Sequence, residues 1–380
     1  MAALLVGVQV VRNAAVAQFA DTRPEAAARI WPSHPASELW LGLTQIGLTA
    51  RQRAAVSPAT LDLFRAAAKQ APLSPEPFLV RGVQAQLAGD NDAAQRAFLA
   101  AKLRDGRSIP ARYFLAEQYF RAGDASKGLH EIATLARMVP NGVTSLAPFV
   151  AMYAKDPRTQ PQLRALFRSE PDLEQTALAT LAADPRNIDL ILALATPSAA
   201  PPAWSGTLIQ TLVAAGQYPN AYRVWAQTAH VPPTGALVFD ADFSANDAPP
   251  PFNWALTSST LGLAERQPGG RLHIVYYGQE DGQLASQLLV LKPGRYRLAM
   301  ALGGDVAHAA SISWTLSCAG TKVQLLSLPL NNPGRVAAGV SFAVPADCPA
   351  QQLVLAASAP EIPQQADLTV GSLRLEPTND

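Results

Sequence analysis

A spacing of 34 residues recurs in the first half of the chain: Gly82, Gly89, Ala94, Phe98 and Ala101 stand in register with Ala116, Gly123, Gly128, Ile132 and Leu135. Small residues where two helices would cross, with a glycine between them for the turn, specify a helical hairpin. A single hairpin leaves an apolar face uncovered, so copies must stack, and this stretch is constrained to an α-solenoid. The first copy reads as a helix from Pro77 to Leu87, a turn at Gly89-Asp90-Asn91 and a return from Asp92 to Leu103. The second runs from Ala111 to Arg121, turns at Gly123-Asp124 and returns through Met138 to Pro140. Phe64, Ala67 and Pro72 extend the register backwards as a third return helix. Its partner, near Trp40–Ile46, is reached by a longer connection that lacks the turn glycine. Leu212, Gly216, Ala221 and Trp225 keep the internal spacing in a degenerate later copy, and Pro157–Ala195 holds at least two helices without a clean repeat. The helical-repeat domain is placed at residues 36–230.

Beyond Ala229 the period changes. Residues 231–235, within His230-Val231-Pro232-Pro233-Thr234-Gly235, read as a linker, and short alternating runs follow it. Leu272, Ile274 and Tyr276 share one face of Arg271–Tyr277, and Tyr296, Leu298, Met300 and Leu302 share one face of Arg295–Leu302. Ser311–Cys318, Val336–Phe342, Leu353–Ala357 and Leu368–Leu375 read as further strands. Turn signals such as Pro268-Gly269-Gly270, Lys292-Pro293-Gly294 and Asn332-Pro333-Gly334 separate them, which specifies an antiparallel β-sandwich of jelly-roll type over residues 236–377. No helices lie between the strands, which excludes a parallel α/β sheet.

Bulk properties narrow the function. The net charge is +1 and charged residues make up 16%, without the clustered Lys and Arg excess that nucleic-acid binding requires. Met1–Val11 carries no charge, but Arg12 and Asn13 end the run well short of the roughly 20 residues that span a bilayer. Residues 1–20 are therefore either part of a truncated membrane anchor or signal-like segment, or a first amphipathic helix docked on the solenoid. The two cysteines, Cys318 and Cys348, are either a disulfide, which requires an oxidising compartment, or two buried thiols. Arginine outnumbers lysine 24 to 6, a bias of GC-rich bacterial genomes. Arg104, Arg107 and Arg112 around Asp105 read as a basic patch or a solvated face, and His130 reads as a surface or capping residue.

Gly82, Ala85, Gly89, Ala94, Phe98 and Ala101, then Tyr119, Gly123 and Pro140, resemble tetratricopeptide repeats, over about half the chain. The resemblance implies a right-handed superhelix whose concave groove takes peptide segments or another protein; the alternative is a brace for the neighbouring domain. Phe239-Asp240-Ala241-Asp242-Phe243, Pro251-Phe252-Asn253-Trp254 and the hairpin Leu291–Leu298 resemble carbohydrate-binding modules of the galactose-binding-like group. That resemblance implies a rim or sheet face where aromatic rings stack on sugars, with Trp254, Tyr277, Gln279, Glu280 and Arg297 as candidates. Trp254 reads equally as a plug at the sandwich entrance, and Tyr276 and Trp314 fall in the apolar register.

No nucleophile elbow, metalloprotease helix, P-loop or dinucleotide fingerprint occurs. Asp240 and Asp242, read on one face of a sheet-edge strand, are weak candidates for a calcium site and weaker ones for a glycosidase pair. The expectation is a non-enzymatic, cofactor-free periplasmic scaffold with an inner-membrane tether. Its helical repeats dock a protein partner and its sandwich meets polysaccharide in surface-polysaccharide assembly or export. The alternative is a protein-interaction scaffold of the envelope that touches no glycan.

Overall fold

The computed structural model describes residues 2–52, 56–232, 235–244 and 248–378, and the side chains of all of these but 2–5, 50 and 307. Pro233 and Thr234 of the expected linker lie outside the described residues, as does Met1. The chain divides into two compact units, Met1–Ala177 and Leu178–Asp380.

The first unit is a succession of helices: α1 (Ala2–Phe19), α2 (Pro24–Ile30), α3 (Pro35–Arg51), α4 (Pro58–Gln70), α5 (Glu76–Leu87), α6 (Asn91–Arg104), α7 (Ile109–Arg121), α8 (Ala125–Met138), α9 (Gly142–Ala154) and α10 (Gln160–Ser169). The two clean repeats are the hairpins α5–α6 and α7–α8. Each turns at a glycine with positive φ, Gly89 at 78° and Gly123 at 77°, a conformation that a β-carbon disfavours. Each glycine is followed by an aspartate that caps the return helix: Asp90 accepts from the Ala93 N–H at 2.9 Å and Asp124 from the Lys127 N–H at 3.1 Å. Phe98 is fully buried, and its ring stacks on Phe114 of the next hairpin at 4.8 Å. Phe120 in turn stacks on Tyr153 of α9 at 4.0 Å. One hairpin is thus joined to the next by ring contact.

The degenerate units obey the same logic. Phe64 and Ala67 of α4 are buried, as the register requires, and the partner helix expected near Trp40–Ile46 is α3. The second half of α1 docks through Val16, and Ala20 just after it, onto Ala27, while Val6, Val8, Val10 and Val11 nearer its start stand 50–67% exposed. Among the described residues no helix is long and apolar enough to cross a membrane.

The boundary between the units falls within α11 (Pro171–Ala182). The second unit continues with α12 (Ile188–Leu194), α13 (Ala203–Ala214) and α14 (Tyr218–Thr228) before the strands begin. Gly216, at φ 71°, turns the α13–α14 hairpin, whose Leu212, Ala221 and Trp225 are fully buried. Trp225 sets its ring edge-on to Phe239 at 4.9 Å, lies 5.6 Å from Phe252, and donates its indole N–H to the Pro249 carbonyl at 2.7 Å. The last helical hairpin thus packs on the segment that leads from it to the first strand.

The strands are β1 (Ala255–Leu256), β2 (Gly262–Gln267), β3 (Arg271–Tyr276), β4 (Gly282–Leu289), β5 (Gly294–Ala299), β6 (Leu302–Gly304), β7 (Ile312–Cys318), β8 (Gln324–Pro329), β9 (Val340–Val344), β10 (Gln351–Ala357), β11 (Ala366–Val370) and β12 (Arg374–Pro377). They form antiparallel sheets in the orders β1-β4-β10-β7-β8, β2-β3-β11-β6 and β12-β5-β9. All three enclose one sandwich-like core, to which Leu272, Ile274, Leu284, Leu298, Trp314 and Leu355 contribute. Three expected strands differ. Val336–Phe342 opens as a short helix, α15 (Pro333–Ala338), because Asn332 caps the Arg335 N–H at 3.0 Å and Pro333 starts the first turn. The runs beginning at Arg295 and Leu368 each split in two, into β5 and β6 and into β11 and β12.

Candidate functional site

Besides the valines of α1, further apolar side chains of the first unit reach solvent. On α7 and α9, Tyr113 is 50%, Phe149 48% and Met152 57% exposed. Between α4 and α5 lies a groove of about 590 Å³ walled by Ile46, Val56, Leu61, Leu79, Val83 and Leu87. A second groove of about 510 Å³ continues from it, sharing Leu61, Val80 and Gln84, and adds Arg65, Lys69 and Arg81. Sequence inspection missed both grooves. The signal was present in α5, where Leu79, Val83 and Leu87 recur at helical spacing, with Leu79 and Val83 only partly covered by the Phe98 cluster and Leu87 exposed.

Of the basic cluster seen in the sequence, Arg107 is exposed, while Arg104 and Arg112 are occupied internally. Arg104 donates to the carbonyls of Pro72 at 2.6 Å and Ala100 at 2.7 Å and lies over the Phe78 ring. Arg112 pairs at 2.6 Å with the buried Glu131, which Lys102 also contacts. His130 is exposed on α8.

In the second unit, Tyr277, Gln279 and Glu280 come together on the connection between β3 and β4. Tyr277 is 41% exposed, and Gln279 and Glu280 are exposed beside it. Thr260 donates to the Glu280 carboxylate at 2.8 Å, and the Tyr276 hydroxyl donates to the Glu280 carbonyl at 3.0 Å, which fixes the turn from below. Trp254 is not part of this surface. It is 3% exposed, its ring lies 5.3 Å from Phe243 and 5.6 Å from Trp314, and no face is open to a sugar. Arg297 is exposed on β5 in another sheet, opposite Glu376 and Ser341, with its aliphatic stem over Gly339.

Asp240 and Asp242 do not share a strand face, because Phe239–Asp242 is a turn with Asp240 at φ 50°. The Asp240 carboxylate, 1% exposed, accepts from Arg266 Nε at 2.9 Å on one oxygen and from the Ser244 N–H at 2.7 Å on the other. Its carbonyl receives the Trp254 indole N–H at 2.9 Å. Arg266 also reaches the Asn253 side-chain oxygen at 3.1 Å. Asp240 is thereby a structural hub, while Asp242 is exposed. Among the described residues no group of three or more His, Cys, Asp and Glu side chains is arranged to hold a metal ion.

Cys318 and Cys348 form a disulfide with Cα atoms 5.4 Å apart. Gln351 steadies that corner, donating to the Cys348 carbonyl at 2.9 Å and accepting from the Leu291 N–H at 2.9 Å. On the outer face of the second sheet, His273 places Nδ1 3.2 Å from Glu265 and Nε2 3.0 Å from Asp367. Burial, the largest single influence, lowers the imidazole pKa, but hydrogen bonds to Asp367 and Glu265 together with their charges outweigh it and raise the value above 6.5.

No family model matches the chain, and no curated protein does. Solved structures similar to the helical part include a thermophilic tetratricopeptide-repeat protein of Thermus thermophilus, at 20% identity over 42% of this chain and 93% of that one, TM-score 0.21. Pseudomonas aeruginosa pilF matches at 12% identity over 53% and 92%, TM-score 0.28. A tetratricopeptide-repeat protein from Parabacteroides merdae matches at 12% identity over 56% and 85%, TM-score 0.27. At TM-scores this low, the helical-hairpin architecture stands on the glycine turns and ring contacts described above.

Proposed function

We propose that this chain is a non-enzymatic scaffold of the bacterial cell envelope, whose helical hairpins hold a protein partner. The observation that carries the reading is that Tyr113 on α7 and Phe149 and Met152 on α9 each stand about half exposed, since large apolar side chains left open to solvent can mark contact sites. The Cys318–Cys348 disulfide supports an oxidising compartment such as the periplasm. The valines exposed near the start of α1 support a membrane tether. The test is a photo-crosslinking amino acid placed at Tyr113 or Phe149 in the full chain and activated in cells. A defined protein adduct from both positions, absent when the probe replaces exposed Val323 of the second unit, is the expected result. Equal labelling at all three positions would remove the basis for a docking face.

A second contact, with polysaccharide, is supported by Tyr277, Gln279 and Glu280, where an exposed ring stands beside hydrogen-bonding side chains on one turn. Affinity electrophoresis of the full chain through gels containing envelope polysaccharide is expected to show retardation that Tyr277→Ala reduces. Unretarded migration would leave a scaffold that binds protein alone.

A further inference from the structure

The paired grooves between α4 and α5 combine two chemistries seldom adjacent by accident. In the larger, Ile46, Val56, Leu61, Leu79, Val80, Val83, Leu87 and Ala88 leave Gln84 as the one polar side chain among the described lining residues. In the smaller, the charged residues among the described lining are all cations: Arg65, Lys69 and Arg81. Arg65 is engaged by Asp62, whereas Lys69 and Arg81 have no carboxylate partner among the described residues. Both volumes fall in the range of roughly 300 to 1,000 Å³ typical of small-ligand sites, which pair an apolar lining with a few polar anchors.

The occupant must satisfy both halves. An extended peptide carries an N–H and a carbonyl at each residue, and an aliphatic wall with one amide side chain would leave most of those facing it unpaired. An alkyl chain carries none. The two unpaired cations beside the wall favour an anionic head, with the Arg81 guanidinium suited to a planar or branched oxyanion and the Lys69 ammonium adding a point charge.

We propose that the α4–α5 grooves bind an amphiphile, its aliphatic chain lying along Leu61, Leu79, Val83 and Leu87 and its carboxylate or phosphate head held by Lys69 and Arg81. The site is distinct from the α7 and α9 face and does not depend on it.

The test is isothermal titration of the full-length chain with dodecyl phosphate and, separately, dodecanoate, each below its micelle concentration; the two arms distinguish a phosphate from a carboxylate head. Saturable binding near one per chain by either is expected. Dodecyl maltoside, with the same tail and no charge, is expected to bind at least tenfold more weakly, and inorganic phosphate alone not measurably. The Lys69→Ala/Arg81→Ala double variant should weaken binding at least tenfold, as should Val83→Asp, which places a charge in the wall. Circular dichroism establishes that each variant is folded. Should Val83→Asp not fold, Leu87→Gln at the 84%-exposed end of the wall replaces it, with a severalfold loss expected. No saturable binding, binding unchanged in the folded variants, or occupation by an acidic apolar peptide in place of both amphiphiles would overturn the proposal.

Discussion

The ring of Phe98 fills the space in which a β-carbon on Gly82 would stand, closer than any real side chain tolerates. The contact recurs with variation. Phe64 crowds Gly42 at 2.8 Å between α3 and α4, and in the α7–α8 hairpin the roles reverse, with Phe120 of the first helix 2.7 Å from the β-position of Gly128 on the second. Each hairpin brings two helix backbones together by placing a phenylalanine ring against a bare Cα.

Gly82→Ala is therefore expected to destabilise the chain by about 1 to 3 kcal/mol, because a methyl group must displace a fully packed ring. Gly47→Ala in α3, where nothing lies within 4 Å of the added carbon, is expected to stabilise it by about 0.5 to 1 kcal/mol through helix propensity alone. Denaturant midpoints of the two variants should move in opposite directions. A shared sign would show that the ring yields without resistance.

Loss of the Cys318–Cys348 bridge, by reduction or by a double serine variant, is expected to lower stability by about 3 to 4 kcal/mol in the chain-entropy account. The loss should appear in fluorescence from the buried tryptophans of the second unit, Trp254 and Trp314. An unchanged midpoint for the reduced protein would mean that the corner is held by Gln351 and packing alone.

Asp240→Asn keeps a residue type that tolerates positive φ, so it isolates the charge from the turn. Arg266 would lose its ion-pair partner, and a loss of about 3 kcal/mol is expected. Calcium at millimolar concentration should leave the melting temperature unchanged, because both Asp240 oxygens are already bonded. A calcium-dependent rise would restore the cation reading of this turn.

His273 supplies a pH dependence with a definite sign. With both ring nitrogens facing carboxylates, only the imidazolium donates to both. The folded-state pKa is raised, so this stabilisation is complete below about 6.5 and is lost as pH rises through the folded value. Wild-type stability should fall as pH rises above about 6.5 by more than that of His273→Gln, with the His273 resonance titrating above its ordinary value. The opposite slope would dismiss the two carboxylates as partners.

Much of the architecture could be read from residues because it depends on local rules. Gly89-Asp90-Asn91 and Gly123-Asp124 announced their turns, and the alternation Ile312, Trp314, Leu316, Cys318 matches a strand whose alternate residues are all buried. Features that needed a tertiary partner were hidden. In β4, Leu284 and Ala285 are adjacent and both buried because both faces of the strand are covered, so no alternation marks it. In α9, Pro148 lies inside the helix, where a proline ordinarily argues for a break. For the candidate site, the strand register set Tyr277 apart from the core residue Tyr276, and the structure exposes Tyr277 beside Gln279. It could not show that Trp254 is enclosed by Phe243 and Trp314, or that Asp240 folds back onto Arg266.

Trp225 has a consequence for how such a chain can evolve. With its indole bonded to Pro249 and its ring set against Phe239 and Phe252, the α13–α14 hairpin supplies part of the interior that the β-rich segment closes over. A recombination event at residues 231–235, where composition changes, would deliver the strands to a new host with Phe239 and Phe252 stripped of a tryptophan wall. The strands and their last helical pair therefore have to travel together if Trp225 and its two phenylalanine neighbours are to stay covered.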